Sequence, residues 1–215
     1  MAENIFLFVP NLIGFGRIIL LFAALYYMPE NHLLASSFYI LSGFLDAFDG
    51  HAARIFNQST KFGAMLDMLT DRCGTMVLIA MLCTFYPRYT FLFQTSMIID
   101  IACHWLHLHV TLLSGQTSHK AGEANVNPIL KIYYSSRPLL FILCAGNELF
   151  YSMLYLLHFT EGPAVFFGFG VFRLLLGLCF PIAIVKSVLA LMQGYYAAIN
   201  LANIDVADRS VAKAK

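Results

Sequence analysis

Long apolar segments dominate this chain, and each is close to the length that a helix needs to cross a lipid bilayer. A membrane-spanning helix requires about 20 consecutive, mostly apolar residues. Of the 215 residues, 60% are hydrophobic and only 12% are charged, whereas soluble domains carry about 25% charged residues. The sequence therefore predicts an all-α integral membrane protein, a bundle of six transmembrane helices. The predicted spans lie near residues 5–28, 33–56, 62–86, 91–113, 138–159 and 171–198.

Lysine and arginine are distributed unevenly among the connections, and this bias predicts the orientation. Cytoplasmic connections of membrane proteins carry an excess of basic residues. The connections after the second, fourth and sixth spans hold most of them, whereas those after the first and fifth hold none. Both termini are therefore predicted to be cytoplasmic, with a polar tail at 200–215. Asn11 and Arg17 predict that the N-terminal segment lies along the interface before the first span.

Neither a repeat nor a change in composition divides the chain, so a single domain over residues 1–215 is predicted. The longest polar connection runs from 114 to 137. The formal net charge of +1 argues against nucleic-acid binding, which requires a strongly basic surface.

Four aspartates interrupt the second and third apolar segments at helical spacing. Carboxylates within a membrane are costly unless they are paired, bind cations or face water. Two of the four are three residues apart and the other two are four apart, so each pair lies on one face of its helix. A short turn around residues 57–59 brings the two helices together. The four residues are Asp46, Asp49, Asp67 and Asp71.

Carboxylates that converge in a medium of low dielectric constant must bind either protons or cations. Hard oxygen ligands favour Mg²⁺ or Mn²⁺, and Mg²⁺ usually binds a few carboxylates together with substrate phosphates. The cluster therefore predicts a phosphate-bearing substrate. Nearby, Gly50 and Ala53 leave space for a ligand, and Arg54 can pair with a phosphate. Thr60 can donate a hydrogen bond at a helix start, where anions are favoured.

These residues form the pattern D-x2-D-G-x2-A-R-x8-G-x3-D-x3-D, in which every fixed position is occupied between Asp46 and Asp71. The pattern resembles the signature of the CDP-alcohol phosphotransferase family. Segments elsewhere, including HWLHLH, KIYYSSRPLLF and LCAGNELFY, resemble the eukaryotic members that use myo-inositol. The resemblance implies transfer of the phosphatidyl group from CDP-diacylglycerol to myo-inositol, giving phosphatidylinositol and CMP.

The same resemblance implies a role for each residue of the pattern. The implied ligands of Mg²⁺ or Mn²⁺ are Asp46, Asp49, Asp67 and Asp71. Among them, Asp71 is also the implied general base that takes the proton from the inositol hydroxyl. The implied contacts to CDP-diacylglycerol are Gly50, Arg54, Thr60, Ala53 and Gly63, the last two leaving room for the cytidine.

Two polar positions outside the pattern are candidates for inositol binding. Arg137 begins the fifth predicted span, where it either snorkels to the interface or donates hydrogen bonds to inositol. His104 lies between Asp100 and His107 on one polar face of the fourth span. That face is open to three interpretations: a wall of the inositol pocket, an interhelical hydrogen-bond network or a histidine zinc site.

The residues of the pattern are implied to bind CDP and metal but not the acceptor. The pattern alone therefore does not distinguish inositol from serine, glycerol phosphate or choline-type acceptors. A cation transporter with intramembrane carboxylates is an alternative of a different class. It explains the aspartates but not Gly50, Arg54 and Gly63 at fixed spacing. The distribution of basic residues also predicts a cytoplasmic active site. Together with this topology, the resemblance implies an endoplasmic reticulum membrane, and it leaves a homodimer open.

Overall fold

The computed structural model describes residues 4–113, 127–166 and 168–213, and these residues are almost entirely α-helical. Short 3₁₀ turns at Ile5–Leu7 and Pro87–Tyr89 precede the first and fourth helices. An antiparallel hairpin of β1 (Ala164–Phe166) and β2 (Phe169–Gly170) precedes the last helix. The helices are α1 (Val9–Tyr27), α2 (His32–Ile55), α3 (Lys61–Phe85), α4 (Thr90–Leu113), α5 (Pro128–Ser135), α6 (Arg137–Phe159) and α7 (Val171–Lys213).

Within the described residues, five helical segments are long and apolar enough to cross a membrane. They comprise α1, α3, α4 with the turn before it, α6 and α7. This confirms the prediction of an all-α integral membrane protein. The predicted second span also forms a helix, α2, of 24 residues, but its polar residues lower its hydropathy. The count of six spans therefore stays a prediction.

Two polar regions that the sequence predicted outside the membrane spans contain helix. Residues 114–126 of the connection predicted at 114–137 lie outside the described residues. The remainder of that connection contains the short helix α5. The tail predicted at 200–215 continues α7 without interruption as far as Lys213, and its side chains are mostly exposed. A polar composition therefore did not mark the end of the helix.

Capping side chains explain several helix boundaries. The Oδ1 atom of Asn31 accepts a hydrogen bond from the Leu34 amide at 3.1 Å, which caps the start of α2. Asn127 caps α5 in the same way, through the Ile129 amide at 2.8 Å. Such caps satisfy backbone donors that have no partner within the helix. After α2, Asn57 adopts a positive φ of 53° and turns the chain towards α3.

The chain forms two compact units, Met1–Phe85 and Tyr86–Lys215; the single domain predicted from the sequence stays a prediction. In the first unit, α1 packs against both α2 and α3. At Gly14, an ideal Cβ would lie 2.8 Å from Leu66 Cδ2, so the absent side chain lets α1 approach α3 closely. The first helix is therefore positioned to reach both aspartate-bearing helices.

In the second unit, both α4 and α6 pack against α7. A buried cluster of Leu130, Tyr133, Leu143 and Leu189 joins α5, α6 and α7. At Gly194, an ideal Cβ would lie 2.6 Å from Cys103 Sγ and 3.3 Å from Cys103 Cα. The contact between α4 and α7 is therefore close enough to exclude any side chain at this position.

The Gly194→Ala variant should lower the thermal unfolding midpoint in detergent micelles. The added methyl group overpacks the contact between α4 and α7, which typically costs 1–3 kcal/mol. Gly177 on the same helix is the matched control because an ideal Cβ there meets no atom within 4 Å. Gly177→Ala should leave the midpoint unchanged or raise it, since alanine favours a helix by about 1 kcal/mol. Equal midpoints for the two variants would contradict the close contact.

Candidate active site

Four aspartate side chains of α2 and α3 converge on the guanidinium group of Arg17 in α1. The Nη1 atom of Arg17 lies 2.7 Å from a carboxylate oxygen of Asp46, of Asp49 and of Asp67. The Nη2 atom lies 2.5 Å from Asp71 Oδ1. The structure therefore brings together the two pairs whose spacing predicted that they would meet.

The cluster is closed on the side of α1 and open on another side. The Arg17 side chain is only 2% exposed, and that of Asp49 is 12% exposed. Asp46, Asp67 and Asp71 remain between 40% and 47% exposed. Three of the four carboxylates are therefore accessible to a ligand, whereas the arginine that holds them is buried.

Sequence reasoning missed the part that Arg17 plays in this cluster. It predicted that Arg17 belongs to an interfacial segment, but the residue lies within α1 and its side chain is buried. A charged residue inside an apolar run is costly unless it is paired, and the nearby carboxylates were the available partners. That cost was the signal that could have connected Arg17 to the aspartates.

The carboxylates fit a hard divalent cation. One oxygen each of Asp46, Asp49 and Asp67 can be chosen so that all three atoms lie within 4.8 Å of one another. Oxygens on opposite sides of Mg²⁺ are about 4 Å apart, because each bond is 2.0–2.1 Å long. A single guanidinium group balances only one of the four carboxylate charges, so the donor set retains the capacity to bind a cation.

A pocket of about 230 Å³ lies beside the cluster, and residues of α1, α2 and α3 and the turn between the last two line it. Asp49 and Asp67 form part of its wall, so the pocket and the carboxylates are continuous. Every residue predicted to contact the CDP group also lines it. These residues are Gly50, Ala53, Arg54, Thr60 and Gly63.

Local hydrogen bonds and packing shape this pocket. Thr60 Oγ1 accepts a hydrogen bond from the Gly63 amide at 2.9 Å, which caps the start of α3 and leaves the hydroxyl hydrogen free to donate elsewhere. The Arg54 Nη1 atom lies 3.6 Å from the position of an ideal Cβ on Gly50. The guanidinium group therefore folds back along α2 to the wall of the pocket.

Two further residues of the pocket were not predicted to belong to it. Asn11 is 1% exposed, and its Nδ2 atom donates to the Ile5 carbonyl at 2.7 Å. Gln58 accepts a hydrogen bond from the Val9 amide at 2.9 Å through Oε1. The first contact links α1 to the 3₁₀ turn before it, and the second links the start of α1 to a side chain in the turn between α2 and α3. An isolated amide side chain gives no sequence signal for such a role.

The two candidates for inositol binding lie in the second unit. His104 Nδ1 is 2.7 Å from the Asp100 carbonyl oxygen and 3.4 Å from Asp100 Oδ1, and His107 is buried. In the described ranges, no histidine belongs to a group of three ligands close enough for a metal, which leaves the zinc interpretation without support. Arg137 is exposed at the first position of α6.

Comparison with known proteins identifies relatives along almost the whole chain. A rat protein named CDP-diacylglycerol–inositol 3-phosphatidyltransferase is 57% identical over 211 residues, which cover 98% of this chain and 99% of the rat protein. A Drosophila melanogaster protein of the same name is 49% identical over 99% of this chain and 93% of its own length. A Saccharomyces cerevisiae protein of the same name is 38% identical over 95% of this chain and 90% of its own length.

The sequence profile of the CDP-alcohol phosphatidyltransferase family matches residues 7–160. This range contains all four aspartates and every residue that lines the adjacent pocket. The resemblance inferred from the aspartate pattern is therefore confirmed. On the evidence of this match and of relatives that extend over nearly its full length, the chain belongs to the CDP-alcohol phosphatidyltransferase family.

Proposed function

We propose that this membrane protein is a CDP-diacylglycerol–inositol 3-phosphatidyltransferase, which transfers the phosphatidyl group of CDP-diacylglycerol to myo-inositol and releases CMP. The observation that carries the proposal is the set of aspartates at the edge of a pocket lined by the rest of the pattern. The choice of inositol is supported by the names of relatives that match along the whole chain.

In this proposal, the pocket binds the CDP portion of the lipid substrate. The Arg54 guanidinium group and the backbone amides at the start of α3 favour an anion such as the pyrophosphate. Thr60 supplies a hydroxyl group at the same helix start. Ala53 and Gly63 line the pocket without bulky side chains, which leaves space for the planar cytosine ring.

We assign the binding of divalent metal, Mg²⁺ or Mn²⁺, to Asp46, Asp49, Asp67 and Asp71. When bound there, the metal supplies positive charge that stabilises the negative charge developing on the CMP leaving group. The aspartates themselves anchor this charge between α2 and α3, next to the pocket that receives the pyrophosphate.

Asp71 is the proposed general base. The hydroxyl oxygen of inositol forms a bond to the phosphorus that carries diacylglycerol, the bond from that phosphorus to the CMP oxygen breaks, and the hydroxyl proton moves to Asp71. The Asp71 side chain is 40% exposed, so a hydroxyl group can reach it, and Arg17 Nη2 holds its Oδ1 atom at 2.5 Å.

The location and assembly of the protein belong to the same proposal. Arg54 and Lys61 flank the turn between α2 and α3, and this basic turn supports a cytoplasmic position for the active site. An endoplasmic reticulum membrane and a homodimer both stay predictions from the family resemblance. Inositol contacts through Arg137 and His104 likewise stay predictions.

The acceptor can be tested directly with the purified protein in micelles. CDP-diacylglycerol is supplied with labelled inositol, serine or glycerol phosphate in separate reactions, and lipid-linked label is measured. We expect label in lipid only with inositol, complete loss of transfer with a chelator, and recovery with Mg²⁺ or Mn²⁺. Transfer to another acceptor alone would overturn the choice of inositol, and transfer that resists chelation would overturn the role of the metal.

The Asp71→Asn variant should lose turnover by a factor of about 10² or more, because general-base catalysis contributes about 10²–10⁴. Binding of CMP, measured by calorimetry, should persist because the pocket is unchanged. Asp208→Asn on the exposed end of α7 makes the same chemical change far along the chain and should retain full turnover. Wild-type turnover in Asp71→Asn would remove Asp71 from the role of base.

A further inference from the structure

The guanidinium group of Arg17 lies at the point where the carboxylates of the cluster meet. Its Nη1 atom is 2.7 Å from an oxygen of Asp46, of Asp49 and of Asp67, and those three residues form the group whose oxygens are spaced to hold a metal. A Mg²⁺ ion bound by the same oxygens needs bonds of 2.0–2.1 Å. A metal ion and Nη1 that shared such an oxygen would lie less than about 5 Å apart, where two cations repel each other.

The hydrogen bonding of Arg17 is also incomplete. The Nε atom is buried and has no hydrogen-bond partner among the described residues, although the side chain is only 2% exposed. A buried donor without a partner carries a desolvation cost. The carboxylates accept hydrogen bonds from the two Nη atoms but not from Nε. In the observed position, Arg17 therefore contacts the aspartates but leaves its Nε–H group without an acceptor.

Opposing charges determine how strongly the guanidinium is held. Like-charged carboxylates at this distance repel one another, and a cation among them lowers that repulsion. Arg17 supplies one positive charge, whereas a divalent ion supplies two. At the same distance, a divalent ion therefore attracts the carboxylates about twice as strongly as the guanidinium group does.

From this geometry we infer that Arg17 and the divalent metal compete for the same aspartate oxygens, so that Arg17 weakens metal binding and sets the metal concentration at which the site fills. The inference rests on the proposed metal-dependent function. Arg17 acts here as a positioning residue for the cluster and not as a catalytic residue, because it acts through the aspartates.

The test measures Mn²⁺ binding to the full chain in micelles, without substrate, from the electron paramagnetic resonance signal of free Mn²⁺. Arg17→Met removes the charge but keeps a long side chain, and it should bind Mn²⁺ at least about tenfold more tightly than the wild type. Arg17→Lys should give an intermediate affinity, since it keeps a charge but offers only one nitrogen. Unchanged or weaker binding by Arg17→Met would overturn the inference.

Arg54→Met is the matched control for the general electrostatic field. Arg54 lines the adjacent pocket but, in the part of the chain that the structure describes, it forms no ion pair with the four aspartates. Its removal should therefore change the Mn²⁺ affinity by less than about threefold, as expected for a screened charge. An equal gain of affinity in Arg54→Met and Arg17→Met would show that only net charge matters and would overturn direct competition.

A second measurement uses the wild type and does not depend on the folding of a variant. A crystal structure with Mn²⁺, located by its anomalous signal, should show the Arg17 guanidinium displaced from the three carboxylates. A guanidinium group still in contact with all three beside the bound ion would overturn the inference. If the wild type binds Mn²⁺ but transfers no phosphatidyl group to inositol, the proposed function fails while the competition result still stands.

Discussion

The ion pairs between Arg17 and the four aspartates are the interaction on which the first unit depends. One buried cation contacts two carboxylates from α2 and two from α3. Since α1 packs against both of those helices, the guanidinium group lies between them and draws their polar faces together. The close approach of α1 to α3 at Gly14 lets the arginine reach the cluster. Packing and charge thus support the same arrangement.

The sequence was sufficient for the aspartate cluster because each step obeyed a short-range rule. Spacings of three and four residues place side chains on one helical face, and the short turn that holds Asn57 leaves α2 and α3 as neighbours in the chain. Gly50, Ala53, Arg54, Thr60 and Gly63 lie within one turn or two of the aspartates, so their convergence on one pocket followed from the same helical geometry. Their assignment to a CDP site came from the family resemblance, and residues of α1 complete the pocket that they line.

The features that the sequence did not predict depend on packing between distant segments. Arg17 is 32 residues from Asp49, so its position in an apolar run indicates that it needs a partner but not which residues supply one. Helix α5 begins at Asn127 and Pro128, which form an N-cap and first turn, but a polar connection around them obscured the signal. The last helix continues to Lys213 because helix propensity persists in its polar tail after membrane hydropathy has ended.

The heights of the charged residues along their helices explain why they meet. Measured from the turn between α2 and α3, at a rise of 1.5 Å per residue, Asp49 and Asp67 each lie about 9 Å along their helices. Asp46 and Asp71 lie about 14–15 Å along, and Arg17, counted from the start of α1 near the same turn, lies about 12 Å along. The Val9 amide bonds to Gln58 in that turn, so the three helices share one reference level. The arginine therefore lies between the two levels of carboxylates, and the pocket extends from Thr60 at the turn to the nearer level at Asp49 and Asp67.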